Sequence, residues 1–244
     1  MHLNRIAALA AAVIASTASL AAAEVVFVDF GTGDTPTNFN EVTVQDSFLD
    51  AGGSGGPVTV TNLIDETGTA TAIDLVADGF NGENNRSTFT PTGDAAKFGL
   101  ALNDSLYGNV GTFGGGSAPN PTVLFSDLDP TSTYDFEFSA SRAGVTDVRS
   151  GLYTFTGANS GSTVFDASSN ESRTGVVNGI IPDANGEILL SMTVADSNNN
   201  GTTRFFYLGA LRLEGTPGEV VPEPATAGVF GLAAAGLLLR RRKA

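Results

Sequence analysis

The stretch Leu128-Asp129-Pro130-Thr131-Ser132-Thr133-Tyr134-Asp135-Phe136-Glu137-Phe138 decides the fold. Tyr134, Phe136 and Phe138 alternate with Asp135 and Glu137, the two-residue period of a strand with one buried face and one wet face. Asp129 and Pro130 supply turn chemistry just before it, because proline presets φ and aspartate bonds its own backbone. The carboxylates two residues apart share the face opposite the aromatic stripe and are expected to face solvent.

Working outward, similar short runs recur every ten to twenty residues, separated by Gly, Asn, Asp, Ser and Thr. Upstream they fall at 25–30, 57–64, 70–76 and 122–125; downstream at 152–155, 163–165, 174–177, 188–193 and 205–213. Long helical patterns are missing, so the expected class is all-β, an antiparallel β-sandwich of jelly-roll type over residues 24–214. Residues 31–56, with Gly52-Gly53-Ser54-Gly55-Gly56, and residues 80–121 are expected as long loops. No phosphate-binding loop follows from the glycine run, since no Lys-Ser/Thr pair comes after it.

The two ends are of a different character. Arg5, the apolar residues 6–20 and then Ala21-Ala22-Ala23 form a secretory signal peptide over residues 1–23, with cleavage expected between Ala23 and Glu24. At the other end, a short linker at 215–221 precedes Pro222-Glu223-Pro224, an uncharged apolar stretch at 225–239, and Arg240-Arg241-Arg242-Lys243. As a helix the apolar stretch would span about 22 Å against roughly 30 Å of hydrocarbon, so it is a short membrane helix aided by snorkelling arginines. The terminal cations are expected to stay cytoplasmic and the body to lie outside.

Motif, apolar stretch and basic cluster together resemble the PEP-CTERM sorting domain. That resemblance implies recognition by an exosortase-like enzyme, transient anchoring in the inner membrane, and transfer to the cell surface or extracellular matrix. Signal peptidase is the other implied partner.

Composition bounds the chemistry of the body. Setting aside Arg5 and the four terminal cations leaves 7 basic residues, and setting aside Glu223 leaves 25 acidic ones, a net charge of about −18. Such a surface repels nucleic acid and anionic lipid. There is no cysteine, and the single histidine, His2, leaves with the signal peptide. Histidine- and cysteine-based catalysis and histidine-bound zinc are thereby excluded from the mature body. The expectation is a non-enzymatic protein; the alternative is a carboxylate-dependent glycan hydrolase or lyase. The Glu-x-Asp-x-x-Glu pattern that would favour such an enzyme is absent.

Two stretches carry further resemblances. Leu128 to Phe136 resembles the corner of fibronectin type III domains, where a tyrosine hydrogen-bonds back across the turn. Pro182-Asp183-Ala184-Asn185-Gly186-Glu187-Ile188-Leu189-Leu190, followed by Phe206-Tyr207-Leu208-Gly209-Ala210-Leu211-Arg212-Leu213, is similar to the last two strands of galactose-binding-like and malectin-like jelly rolls. The latter implies binding of extracellular polysaccharide.

For ligand contacts the sequence offers Arg142 at the end of the Tyr134 strand, Arg149 one loop later, and Tyr107 with Phe113 in the glycine-rich region. Guanidinium groups can bond sugar hydroxyls or carboxylates. With no tryptophan in the chain, any aromatic platform must come from Tyr and Phe. Asp196-Ser197-Asn198-Asn199-Asn200-Gly201 places oxygen ligands at alternate positions, as in the first half of an EF-hand loop. The loop reads either as an ordinary Asn-rich turn between strands, since Tyr207 stands where an EF-hand needs its glutamate and no helices flank it, or as a structural calcium site at Asp196, Asn198 and Asn200.

Overall fold

The computed structural model describes residues 23–33, 35–43, 56–84 and 89–216, all within one compact unit, Ala22–Gly218. The signal segment through Ala22, most of the 215–221 linker, the Pro222–Lys243 sorting signal with its apolar stretch, and most of the first glycine run lie outside the described residues. Among the described residues no helix is long and apolar enough to cross a membrane.

In chain order the strands are β1 (Glu24–Asp29), β2 (Phe39–Glu41), β3 (Val58–Val60), β4 (Asp74–Asp78), β5 (Gly82–Glu83), β6 (Leu106–Phe113), β7 (Gly116–Ala118) and β8 (Thr122–Ser126). They continue with β9 (Thr133–Ser139), β10 (Ser150–Thr156), β11 (Ser160–Asp166), β12 (Gly175–Ile180), β13 (Ile188–Val194), β14 (Phe206–Leu208) and β15 (Ala210–Thr216). One sheet runs β12-β9-β15-β1-β2 and a second β11-β10-β13-β8-β4-β3. A third joins β14, β6 and β5, with β7 hairpinned onto β6. Pairing is antiparallel except between β1 and β2. The all-β, antiparallel expectation holds.

The Tyr134 stripe does what its alternation requires. Tyr134, Phe136 and Phe138 are buried, and Phe136 stacks on Phe155 of the second sheet at 4.2 Å between ring centroids. Phe138 meets Tyr153 at 4.3 Å, and Phe125 meets Phe136 at 5.6 Å. Aromatic contacts between β9 and the facing strands thus join the two large sheets into a sandwich. On the other face of β9, Glu137 receives Lys97 Nζ at 2.5–2.6 Å, and Asp135 Oδ1 accepts the Gly179 N–H at 2.7 Å. The polar face is partly covered by the 3₁₀ segment Gly93–Leu102, which buries Phe98 against Phe27.

The corner has the expected bond: the Asp129 N–H donates to Tyr134 Oη at 3.0 Å. Burial holds the Tyr134 hydroxyl above its ordinary pKa, so it is neutral and able to accept at any physiological pH. Tyr134→Phe should cost about 1 kcal/mol, the net worth of such a bond. Chemical denaturation of the two chains at pH 7 checks this through a lower midpoint at unchanged slope.

Residues 80–121 depart from expectation. In place of a long loop they form β5, the 3₁₀ segment, β6 and β7. Glycine hides β6 from a reading of side-chain alternation. A Cβ at Gly108 would lie 2.4 Å from the Phe206 ring, and one at Gly111 would lie 2.4 Å from the Thr202 carbonyl oxygen, so close packing demands glycine there. The run at 205–213 is also two strands rather than one. The chain leaves the third sheet after Leu208 and enters the first at Ala210, with the Gly209 N–H bonded to the Ser139 carbonyl at 3.0 Å.

Candidate functional site

That switch between sheets shapes a cleft of about 420 Å³ beside the third sheet. Its wall is made by Glu83 and Asn84 after β5, Tyr107 and Phe113 on β6, Phe205 and Tyr207 around β14, and Arg142 and Arg149 from the segment between β9 and β10. β14 pairs with β6 so that Tyr207 sits opposite Tyr107. Four rings therefore gather: Tyr107–Phe205 at 5.4 Å and Phe113–Phe205 at 5.0 Å, both edge-on, with Tyr107–Tyr207 at 6.2 Å. Phe113 is 49% exposed, so this aromatic wall reaches solvent. The absence of tryptophan is met by Tyr and Phe from two adjacent strands.

The two arginines are held differently. The Arg149 N–H donates to Asp166 Oδ1 and Ser168 Oγ, both at 2.9 Å. Its Nε donates to Asp147 Oδ2 at 3.1 Å, its Nη1 to Tyr207 Oη at 2.6 Å, and its guanidinium lies 5.5 Å from the Phe205 ring centroid. Asp147 Oδ2 also accepts the Asn200 side-chain amide. Arg149 is thus committed to holding the cleft together. Those contacts keep the Asp147 carboxyl below its ordinary range in spite of partial burial.

Arg142 is fixed through its backbone, and its guanidinium also bonds the Tyr207 hydroxyl. Its N–H donates to the Ala167 carbonyl at 2.8 Å, and its carbonyl accepts the Ser169 N–H at 2.9 Å. None of the ion pairs among the described residues involves it. Both guanidiniums act to lower the Tyr207 pKa, but burial outweighs them and the hydroxyl is pushed up. Tyr107 is likewise raised by burial, so both phenols remain neutral hydrogen-bonding groups.

Across the cleft, Glu83 accepts the Thr32 hydroxyl at 2.8 and 2.9 Å. Asn84 Nδ2 is buried with no partner among the described residues. The core reaches the cleft through Tyr153, whose hydroxyl donates to the Tyr207 carbonyl.

Of the residues singled out from sequence, Tyr107, Phe113, Arg142 and Arg149 come together in this cleft. Phe205, Tyr207, Glu83 and Asn84 carried no sequence signal for it, because only the pairing of β6 with β14 on one side and β5 on the other brings them there. The Asp196 loop is used otherwise. Asn198 Nδ2 donates to the Ser150 and Phe205 carbonyls at 3.0 and 2.8 Å, Asn200 ties to Asp147, and Asp196 is exposed. The amides fasten the loop to β10 and to the approach to β14. Asp183 closes its own turn, accepting the Asn185 and Glu187 N–H groups at 2.8 and 3.0 Å. Among the described residues no group of three or more acidic side chains could hold a metal ion. Glu24, expected as the new N-terminus, is the first residue of β1, and Ala23 precedes it.

Residues 220–243 match the PEP-CTERM protein-sorting motif. The chain carries a PEP-CTERM sorting tail. With that motif come export, a membrane-anchored sorting step and processing by an exosortase-type enzyme. The motif covers about a tenth of the chain and concerns its destination. A comparison of the sequence with curated proteins finds no match.

Among solved structures the chain is similar to the ANX1 ectodomain from Arabidopsis thaliana, with 11% identity, TM-score 0.39 and coverage of 61% of this chain and 50% of that one. The ANX2 ectodomain from the same plant gives 11% identity, TM-score 0.40 and coverage of 66% and 54%. An exo-beta-1,3-galactanase from Phanerochaete chrysosporium gives 14% identity, TM-score 0.27 and coverage of 64% and 32%. The chain thus spans about half the length of the two ectodomains.

Proposed function

We propose that this is a non-enzymatic protein of the cell surface or extracellular matrix, whose jelly-roll-like sandwich binds extracellular polysaccharide in the cleft between Arg142 and Tyr107. The observation that carries the reading is the cleft itself. Neutral phenols, an exposed phenyl ring and a guanidinium with no ion pair among the described residues line a concavity on a body destined for export. Aromatic faces pack against the C–H faces of sugar rings, and convergent polar groups fix orientation.

The competing glycan hydrolase or lyase requires two carboxylates converging on the scissile bond, within about 10 Å of each other. The lining of the cleft supplies one, Glu83, already bonded to Thr32. The test is a glycan array probed with the full chain, with and without calcium. Retention on at least one polysaccharide class without release of smaller sugars is expected. No retention in either condition would remove the binding reading, and product release would restore the enzymatic one.

A further inference from the structure

The division of labour between the two arginines points to a more specific ligand. Arg149 spends Nε on Asp147, Nη1 on Tyr207 and its face on Phe205. Arg142 has its backbone pinned on both sides by the 167–169 segment and shares the Tyr207 hydroxyl with Arg149, but its charge is paired with no carboxylate among the described residues. On a body of net charge about −18 the cleft gathers two guanidiniums, of which Arg149 is paired with Asp147. A half-buried arginine with no acid paired to it among the described residues is unexpected in so acidic a protein if its role is only structural, since partners are abundant. Asp147 shows the usual outcome on the neighbouring arginine.

We propose that the cleft selects polysaccharide bearing a carboxylate on the sugar ring, with Arg142 as the carboxylate-binding residue and the Tyr107–Phe113–Phe205 wall as the platform for the ring. A planar guanidinium matches a carboxylate bidentately, and charge-assisted bonds of this kind are among the stronger ones available in a partly dried site. Arg149 is the positioning residue: it fixes Tyr207 and Phe205, and so the shape of the wall. Glu83, on the opposite side, disfavours a second carboxylate there and accepts sugar hydroxyls. The orientation of the ring across the cleft follows from that asymmetry. The volume of about 420 Å³ falls within the range of about 300–1,000 Å³ usual for small-molecule clefts.

This inference rests on the polysaccharide reading above, and one titration separates the two. The full chain is titrated by calorimetry at pH 7 with three probes on one backbone: a β-1,4-linked glucuronate trimer, its methyl ester, and cellotriose. The trimer should bind, with the ester and cellotriose weaker by on the order of tenfold or more. Arg142→Ala should lose that preference, and Arg142→Lys, which keeps charge but not the fork, should retain part of it. Arg212→Ala, removing an arginine paired with Glu214 on β15 outside the cleft lining, should leave binding unchanged and controls for folding. Equal binding of acid, ester and cellotriose would overturn the carboxylate assignment while keeping the polysaccharide reading. Acid-selective binding that survives in both Arg142 variants would overturn the role given to Arg142. Binding of none of the three probes would overturn the inference, and the glycan array then decides separately whether the polysaccharide reading stands.

Discussion

Asp29→Asn should stabilise the protein at pH 8 and above, and do little near pH 3. Asp29 ends β1, is 2% exposed, and its Oδ1 has no partner among the described residues. Burial first, and then the Asp104 carboxylate, push its pKa up to about 8; Glu41 and Glu83 add to the rise, and Thr35 opposes it. Asp104 lies close to the backbone that follows Asp29: a Cβ at Gly31 would meet its carboxylate at 2.2 Å, so a larger residue there would have to displace the Asp104 side chain.

The sign of the effect follows from linkage. Between about pH 4 and 8 the unfolded chain has released the Asp29 proton while the folded chain keeps it. The folded state therefore binds more protons, and stability falls as pH rises through that window. Below the unfolded pKa both states are protonated and the loss vanishes; above about 8 it is complete. The full span corresponds to on the order of 5 kcal/mol, an upper bound for a group with carboxylate neighbours. Asparagine keeps the shape and removes the ionisation. Urea midpoints of both chains from pH 3 to 9 should diverge with rising pH, the variant lying higher. A variant that is less stable at pH 8, or that loses a calcium-dependent stabilisation shown by the natural chain, would mean that Asp29 is held as a compensated anion.

Phe138→Ala should be the most damaging core substitution on β9, costing about 3–5 kcal/mol. The ring is fully buried between the sheets, against Tyr153 at 4.3 Å, Phe165 at 5.7 Å and Phe155 at 6.2 Å. It also covers Gly175 of β12, where a Cβ would stand 2.5 Å from its Cζ; a glycine there leaves no side chain to move into the void. Against a total stability of about 5–15 kcal/mol such a loss is severe, and the melting temperature should fall by roughly 10 °C. Val176→Ala, at a position 46% exposed on the neighbouring strand, should stay within about 0.5 kcal/mol. The damage should extend to the cleft, because Tyr153 packs on Phe138 and donates to the Tyr207 carbonyl. A drop below about 1 kcal/mol would mean that the sheets close over the cavity.

What was legible in the sequence follows from how local each signal is. The Tyr134-Phe136-Phe138 stripe and its corner were readable because alternation and turn chemistry lie within ten residues of chain. The sorting signal is linear by nature, and Pro222-Glu223-Pro224 with its basic end was readable for the same reason. β6 was not legible: Gly108 and Gly111 make room for Phe206 and for the 202–203 backbone, and a strand that yields its side chains to neighbours shows no alternation. The break at Gly209 was hidden too, since an unbroken apolar run from Phe205 to Leu213 reads as one strand. The cleft inherits both blind spots. Tyr107, Phe113, Arg142 and Arg149 could be picked as exposed aromatics and rim cations, whereas Phe205 and Tyr207 face the cleft only because β14 leaves the first sheet to pair with β6. The oxygen-rich loop at 196–201 shows the converse. Its composition suggested a cation, but its amides are used to fasten β10 to the β14 approach.

The sandwich is expected to act outside the cell, cut free of both targeting ends. Intact-mass and terminal-peptide mass spectrometry of the chain recovered from the cell surface tests it most directly. The expected species has its N-terminus at Glu24, the first residue of β1, and its C-terminus at or near Pro222, with the apolar stretch and Arg240-Arg241-Arg242-Lys243 gone. Recovery of a chain that retains residues 1–23, or an intact tail to Ala244, would contradict it.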